Sequence, residues 1–293
     1  MSSTALADVS PNGRIAFEFE GDIWAMDADG ANQVNLTNTP DAQEYDPVWS
    51  PDGGRIAFIT NRITGTDPDG NFEVYSMASD GSAVTQVTMS TPPNPWDFYQ
   101  SYEPTWSPDG LQIAFTGYRQ YAFPQIYTVP ADGSGAETLL TDPTDSASKG
   151  QPDWSPDGTR IMFTWDIGQQ DVYVIAPDGT GQTNLTPDTI QWDERSGVWS
   201  PDGTRFAFVD NRFFNHLTFN TDIFLRNADG TGEVQLTFHE NIDDDPAWAP
   251  DGTRFAFSST RGGAYDIYLI DVPPPGDARP SGSGSAPSVR SRP

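Results

Sequence analysis

The chain of 293 residues has no cysteine and one lysine, Lys149. Without thiols there is neither a disulfide framework nor a thiolate metal site. Histidine is nearly as scarce, since His216 and His239 are the only two. A hydrolase that pairs a nucleophile with a histidine base would have to use one of them. No Gly-x-Ser-x-Gly elbow, phosphate loop or His-Glu-x-x-His helix is present. Positive charge is the next shortage: 15 Lys and Arg stand against 42 Asp and Glu, a net charge of -27. Such a field disfavours nucleic acid and anionic membrane surfaces, and suits a basic protein segment or a cation such as Ca²⁺. No apolar run approaches membrane-spanning length, and Met1 to Val9 lacks the basic and apolar regions of a secretion signal.

What is present is repetition. Trp154-Ser155-Pro156-Asp157-Gly158-Thr159-Arg160-Ile161-Met162-Phe163 has close copies starting at Trp49, Trp106, Trp199 and Trp248, and a degenerate one at Ser10-Pro11-Asn12-Gly13-Arg14-Ile15-Ala16-Phe17, giving six units. Ser-Pro-Asp-Gly is a tight turn: Pro presets φ, Asp bonds local backbone and Gly takes the left-handed position. The residues after it are β-branched or aromatic, so each unit opens strand A, turn, strand B. An apolar run follows, such as Ile23-Trp24-Ala25-Met26 or Val172-Tyr173-Val174-Ile175, and ends in a second Asp-Gly turn. That run is strand C. A short strand D then ends in Leu-Thr or a variant, as at Leu36-Thr37 and Leu185-Thr186. Four antiparallel strands in each unit of about 40 to 57 residues is the spacing of propeller blades.

The expected fold is therefore all-β: a six-bladed β-propeller of four-stranded antiparallel blades over residues 1–273. The last blade is incomplete, because no Leu-Thr strand follows Ile267-Tyr268-Leu269-Ile270, and this strand is expected to be an exposed edge. A Pro/Gly/Ser/Arg tail over 274–293 is expected to be disordered. The tryptophans Trp49, Trp106, Trp154, Trp199 and Trp248 are expected to be buried between blades.

Trp-Ser-Pro-Asp-Gly-x-Arg-Ile-Ala-Phe, followed by Asp-Ile-Tyr-Leu, Asp-Gly and Leu-Thr, resembles the WD-repeat-like blades of the TolB family. The resemblance runs to about residue 272. It implies a scaffold that is not an enzyme, needs no cofactor, binds a protein or basic peptide as a monomer, and works in the periplasm or outside the cell. The cytoplasm stays open, because this chain carries no address. The first blade starts at Ala7-Asp8-Val9, without the α/β domain that TolB carries ahead of its propeller. Similar blades occur in prolyl-oligopeptidase relatives, whose chemistry sits in a hydrolase domain. They also occur in oligogalacturonate-lyase-like propellers, which hold a divalent metal with several histidines. A carbohydrate-binding or cation-binding propeller is the alternative reading.

Strand parity locates the working face. The A to B and C to D turns share one face of the disc and are short. The B to C and D to A connections share the other, and vary in length. That second face carries Trp96, Phe98, Tyr99, Tyr118, Tyr121, Phe123, Trp165, Trp192, Phe213, Phe214 and Phe238, with both histidines. Strand A begins there, which is expected to bring Glu44, Asp46, Glu103, Gln151, Glu194 and Asp243 to Asp245 to the channel mouth as an acidic funnel. Asp243, Asp244, Asp245 and His239 are the candidate cation ligands.

Overall fold

The computed structural model describes residues 7–10, 13–64, 70–89, 99–187, 192–212, 220–273 and 288–289. Six four-stranded antiparallel sheets follow one another along the chain, each with its strands in sequence order. Blade one is β1 (Ala7–Val9), β2 (Ile15–Phe19), β3 (Asp22–Met26) and β4 (Val34–Asn35). Blade two is β5 (Glu44–Trp49), β6 (Arg55–Thr60), β7 (Glu73–Ala78) and β8 (Thr85–Gln86). Blade three is β9 (Gln100–Trp106), β10 (Gln112–Tyr118), β11 (Gln125–Pro130) and β12 (Thr138–Leu139). Blade four is β13 (Ser148–Trp154), β14 (Ile161–Asp166), β15 (Gln170–Ile175) and β16 (Thr183–Asn184). Blade five is β17 (Glu194–Trp199), β18 (Arg205–Asp210), β19 (Asp222–Asn227) and β20 (Val234–Gln235). Blade six is β21 (Asp243–Trp248), β22 (Arg254–Ser259), β23 (Asp266–Asp271) and β24 (Ser288–Val289).

The inner strands β1, β5, β9, β13, β17 and β21 each touch the next, and β21 touches β1. The ring is closed. Each seam between neighbouring blades holds one apolar cluster, six in all. Sheet faces bury one another because a four-stranded blade alone would leave both faces in water.

Two short motifs fix each blade locally. In the A to B turn the Ser155 hydroxyl donates to Asp157 at 2.6 Å and accepts the Arg160 N–H at 2.9 Å. These bonds, with the N–H and hydroxyl of Thr159, hold the Asp157 carboxyl down at about 2. The C to D aspartates Asp29, Asp80, Asp132, Asp178 and Asp229 each accept the N–H two residues on. Much of the acidity is therefore turn chemistry. The threonine of Leu-Thr crosses back to strand C: Thr37, Thr88, Thr141, Thr186 and Thr237 accept the N–H of Ile23, Val74, Ile126, Val172 and Ile223.

Trp49, Trp106, Trp199 and Trp248 are buried as expected, but Trp154 is half-buried. One difference lies one blade back. Arg14, Arg160 and Arg205 stack over Trp49, Trp199 and Trp248 at 5.9, 4.4 and 5.7 Å. Blade three has Gln112 at this position and offers Trp154 no guanidinium, although Trp106 is buried without a stacked arginine among the described residues as well. The repeat supplies blade six with three strands, as the sequence implies. The expected free edge is corrected, because β24 from the tail pairs with β23 through Val289 and Ser288 opposite Ile267 and Tyr268. An unpaired edge is a template for a strand, and the tail supplies two residues of one. The rest of 274–293 lies outside the described residues. Asp266, where the missing threonine would act, has Oδ1 buried without a hydrogen-bond partner among the described residues.

One seam carries a compensating pair. Blade four has Met162 where the other blades have Ala16, Ala57, Ala114, Ala207 and Ala256, and blade five has Gly197 where blades two, three, four and six have proline. A Cβ on Gly197 would come within 2.4 Å of the Met162 sulfur. Gly197→Pro alone should cost about 1–3 kcal/mol through overpacking. In the Met162→Ala background the same change should cost clearly less. Urea unfolding of the two single variants and the double variant measures the coupling, and additive losses would contradict it.

Candidate functional site

The channel wall is made by a bulge repeated in five inner strands. In β5, Asp46 and Pro47 together oppose the gap in register between the Tyr45–Ile59 and Val48–Ala57 pairs. β9, β13, β17 and β21 shift register at the same place. The proline has no N–H to leave unpaired there, so it tolerates the break in the ladder. The residue before it turns left-handed: Asp46, Glu103, Gln151, Ser196 and Asp245 have φ of 53, 55, 56, 54 and 51°. This conformation is unfavourable for residues with a Cβ, and here its gain is the direction of the freed N–H.

In three of the five strands that N–H points at the preceding blade. Glu103 N–H donates to Asp46 Oδ2 at 2.9 Å, Gln151 N–H to Glu103 Oε2 at 2.7 Å, and Ser196 N–H to Gln151 Oε1 at 3.1 Å. Strand B hydroxyls add to it, Thr116 on Glu103 at 2.6 Å, Thr164 on Gln151 at 2.8 Å and Ser258 on Asp245 at 3.0 Å. The relay stops at Ser196, whose side chain is short. There Arg195 reaches Asp244 at 2.6 Å instead, and Asp244 accepts the Asp245 N–H at 3.0 Å.

The channel is open to solvent and has a volume of about 900 Å³. Asp46, Glu103 and Asp245 lie on its wall, with Lys149 and Arg195. Both cations are already engaged, Arg195 by Asp244 and Lys149 by Asp145 and the Asp142 carbonyl. Asp46, Glu103 and Asp245 make hydrogen bonds but pair with no cation among the described residues. Above them runs an aromatic ladder: Tyr45 to Phe72, Phe72 to Tyr102 and Tyr102 to Tyr118 have ring centroids 5.6, 5.8 and 5.8 Å apart.

The structure sorts the expected site residues into three groups. Asp46, Glu103, Gln151 and Asp245 line the channel. Glu44, Glu194 and Asp243 do not: they are fully buried and matched by Arg62, by Arg212 with Arg226, and by Arg261. They neutralise arginines that stack on the blade rings, as Arg62 does on Phe58 and Tyr75 and Arg261 on Phe257 and Tyr268. Lys149 does this in blade four from strand A, over Trp165 at 5.0 Å. Tyr99 is buried beneath Arg119 and Trp165 packs on Tyr173, so both are packing residues. Tyr118, Phe123 and Phe238 are exposed, and Tyr121 and Trp192 half-buried. Trp96, Phe98, Phe213, Phe214 and His216 lie outside the described residues.

The expected cation ligands do not converge. Asp243 is taken by Arg261 and Ser259, Asp244 by Arg195, Asp245 by Ser258, and His239 Nδ1 by Asn241. Among the described residues no three His, Asp or Glu side chains form a cation-binding group. Sequence reasoning missed Tyr45, Phe72 and Tyr102. The available signal was an aromatic one residue before the bulge in β5 and β9.

No family model matches the chain. It is 32% identical over 183 residues to a TolB homologue of Chlorobium luteolum, covering 62% of this chain and 36% of that protein. It is 28% identical over 102 residues to the peptidase YuxL of Bacillus subtilis, covering 33% of this chain and 14% of that one. The chain thus spans less than half the length of either relative. Among solved structures it is similar to a TolB-type protein from Agrobacterium tumefaciens, with TM-score 0.67, 22% identity and coverage of 93% and 91% of the two chains. It is also similar to an oligogalacturonate lyase from Vibrio parahaemolyticus, with TM-score 0.61, 12% identity and coverage of 93% and 91%. The TolB resemblance read from the repeats holds in sequence and in fold.

Burial on the channel wall, followed by the charge of Glu103, raises the Asp46 carboxyl to about 7. Burial also raises Glu103, and burial with the neighbouring Asp244 raises Asp245 well above the usual carboxylate range. A carboxyl that holds its proton more tightly when folded makes the fold less stable as pH rises from its unfolded value, near 4, through its folded value. Asp46→Asn keeps an oxygen for the Glu103 N–H and removes the charge. It should match the wild type at pH 4 and be more stable at pH 8 by about 1–2 kcal/mol, after screening by channel water. Urea midpoints at the two pH values test this, and equal differences at both would contradict it.

Proposed function

We propose that this chain is a non-enzymatic binding propeller that holds a protein partner on its B to C face and seats a basic segment of it in the channel mouth. The observation that carries this reading is the set of carboxylates Asp46, Glu103 and Asp245 on the channel wall with no cation of their own. A cation entering there loses little, because each carboxylate is already oriented by hydrogen bonds. The aromatic ladder from Tyr45 to Tyr118 gives the same mouth a rigid apolar flank. Apolar exposure is also concentrated on this face: Ile63, Met89, Tyr118, Phe123, Ile167 and Phe238 are six of the nine exposed large hydrophobics among the described residues.

The likeness to TolB propellers supports a protein partner over a small substrate, and supports a place outside the cytoplasm. The likeness to a lyase is one of fold, and the ligand set offered by Asp243, Asp244, Asp245 and His239 does not fit a metal. The proposed binding propeller is a monomer and works without a cofactor.

Fluorescence anisotropy with extended Arg- and Lys-containing peptides tests the proposal. Binding should weaken steeply with salt. Asp46→Asn with Glu103→Gln keeps the hydrogen-bond relay, yet should weaken binding at least about tenfold, the scale of a lost buried ion pair. Tyr118→Ser should weaken it less. Unchanged binding in the double variant, or product formation from oligogalacturonate with Mn²⁺, would overturn the proposal.

A further inference from the structure

The seam between blades six and one differs from the rest. Trp49 of blade two sits against Ala16 and Ala25 of blade one and Ile56 of its own blade, under Arg14. Trp199 and Trp248 occupy the same seat in their seams, against Met162 with Phe206 and against Ala207 with Phe255. In blade one the equivalent of these tryptophans is Val9. The seat is still built: Ala256, Leu269 and Ile15 stand where Ala16, Ala25 and Ile56 stand around Trp49. They line a cavity of about 180 Å³ with Val9, and Arg254 is at its rim.

Arg254 corresponds to Arg14, Arg160 and Arg205, each stacked over an indole. It is exposed, and no aromatic ring lies beneath it among the described residues. Pro250 and Asp251, also on the rim, are exposed, so the seat is reachable from the short-turn face. An apolar cavity of this kind stays ready for an apolar guest, because its lining forfeits contacts on one side while it is empty. Residues 1–10 and the tail from 274 contain no aromatic residue to fill it.

We infer that the blade six to one seam is a docking socket for a tryptophan side chain presented by a protein partner, held by Ala256, Leu269 and Ile15 and capped by Arg254. The shape is specified by the protein itself, which fills the equivalent seat with indole in other seams. Asp251 beside Arg254 favours a partner whose tryptophan is not flanked by acidic residues. The socket lies on the opposite face from the channel mouth and does not depend on the function proposed there.

The test uses the intact chain and N-acetyl-tryptophanamide as probe, with methyl resonances of Val9, Ala256 and Leu269 followed by NMR. Saturable shifts are expected at millimolar probe, as for one buried aromatic anchor. Val9→Trp should abolish them by filling the socket, and should raise the melting temperature. Arg254→Gln, a surface change that leaves the cavity open, should weaken the probe about fivefold, the factor of a cation–π contact. N-acetyl-leucinamide should not saturate. No saturable shift in the wild type, or shifts that survive in Val9→Trp, would overturn the inference. So would binding of free indole without binding of a Trp-containing peptide, which would make the socket a small-molecule site.

Discussion

The structure depends on one backbone device, the left-handed residue in the bulge of five inner strands. It breaks the ladder of its own blade and, in three of the five, turns an N–H outward toward an acceptor side chain on the blade before. Three such bonds in succession, from Glu103 to Asp46, Gln151 to Glu103 and Ser196 to Gln151, tie blades two to five at the channel wall. The acceptor must be a carboxylate or carboxamide long enough to cross the seam. The channel is acidic for that reason before any ligand is considered, and recognition of a cation uses groups that the architecture already requires.

Farther from the axis the blades are held by shape. An indole from one blade and a guanidinium from the preceding one close three of the six seams, and some departures come in matched pairs. Gln112 takes the arginine position in the seam of the half-buried Trp154. Met162 is accommodated by Gly197. Lys149 does in blade four what arginines do in blades two, three, five and six. The exception is the closing seam, where Val9 has no larger neighbour to fill the space. It is also the seam whose last blade takes its fourth strand from the distant tail. The first and last blades therefore meet at a seam that keeps an unfilled cavity.

The fold was legible because its signals are local and repeated. Ser-Pro-Asp-Gly, Asp-Gly and Leu-Thr each report a hydrogen bond within one blade, so six copies of the first and five of each of the others specify the strands and their order. The site was legible in part. Strand parity placed Asp46, Glu103, Gln151 and Asp245 on the channel correctly, but it could not separate them from Glu44, Glu194 and Asp243. Those are two positions away along the same strands, and the bulge intervenes; on its far side the side chains point into the blade and meet arginines just beyond strand B or on strand C. Such pairs are distant in sequence, as with Glu194 and Arg226, and no local pattern announces them. The strand from Ser288 was invisible for a different reason: it has neither β-branched alternation nor an aromatic, and only the unpaired edge of β23 explains its pairing.

The central claim is that the Asp46 carboxyl on the channel wall, raised to about 7, still holds part of its proton at neutrality and gives it up when a cation arrives. The backbone amide proton of Glu103, bonded to Asp46, reports this directly in a pH titration by NMR. The account expects its shift to titrate with a midpoint near 7, and that midpoint to fall by at least about one pH unit when a basic peptide is bound. A Glu103 amide whose midpoint is the same with and without the peptide, or that does not move between about pH 4 and 9, would contradict it.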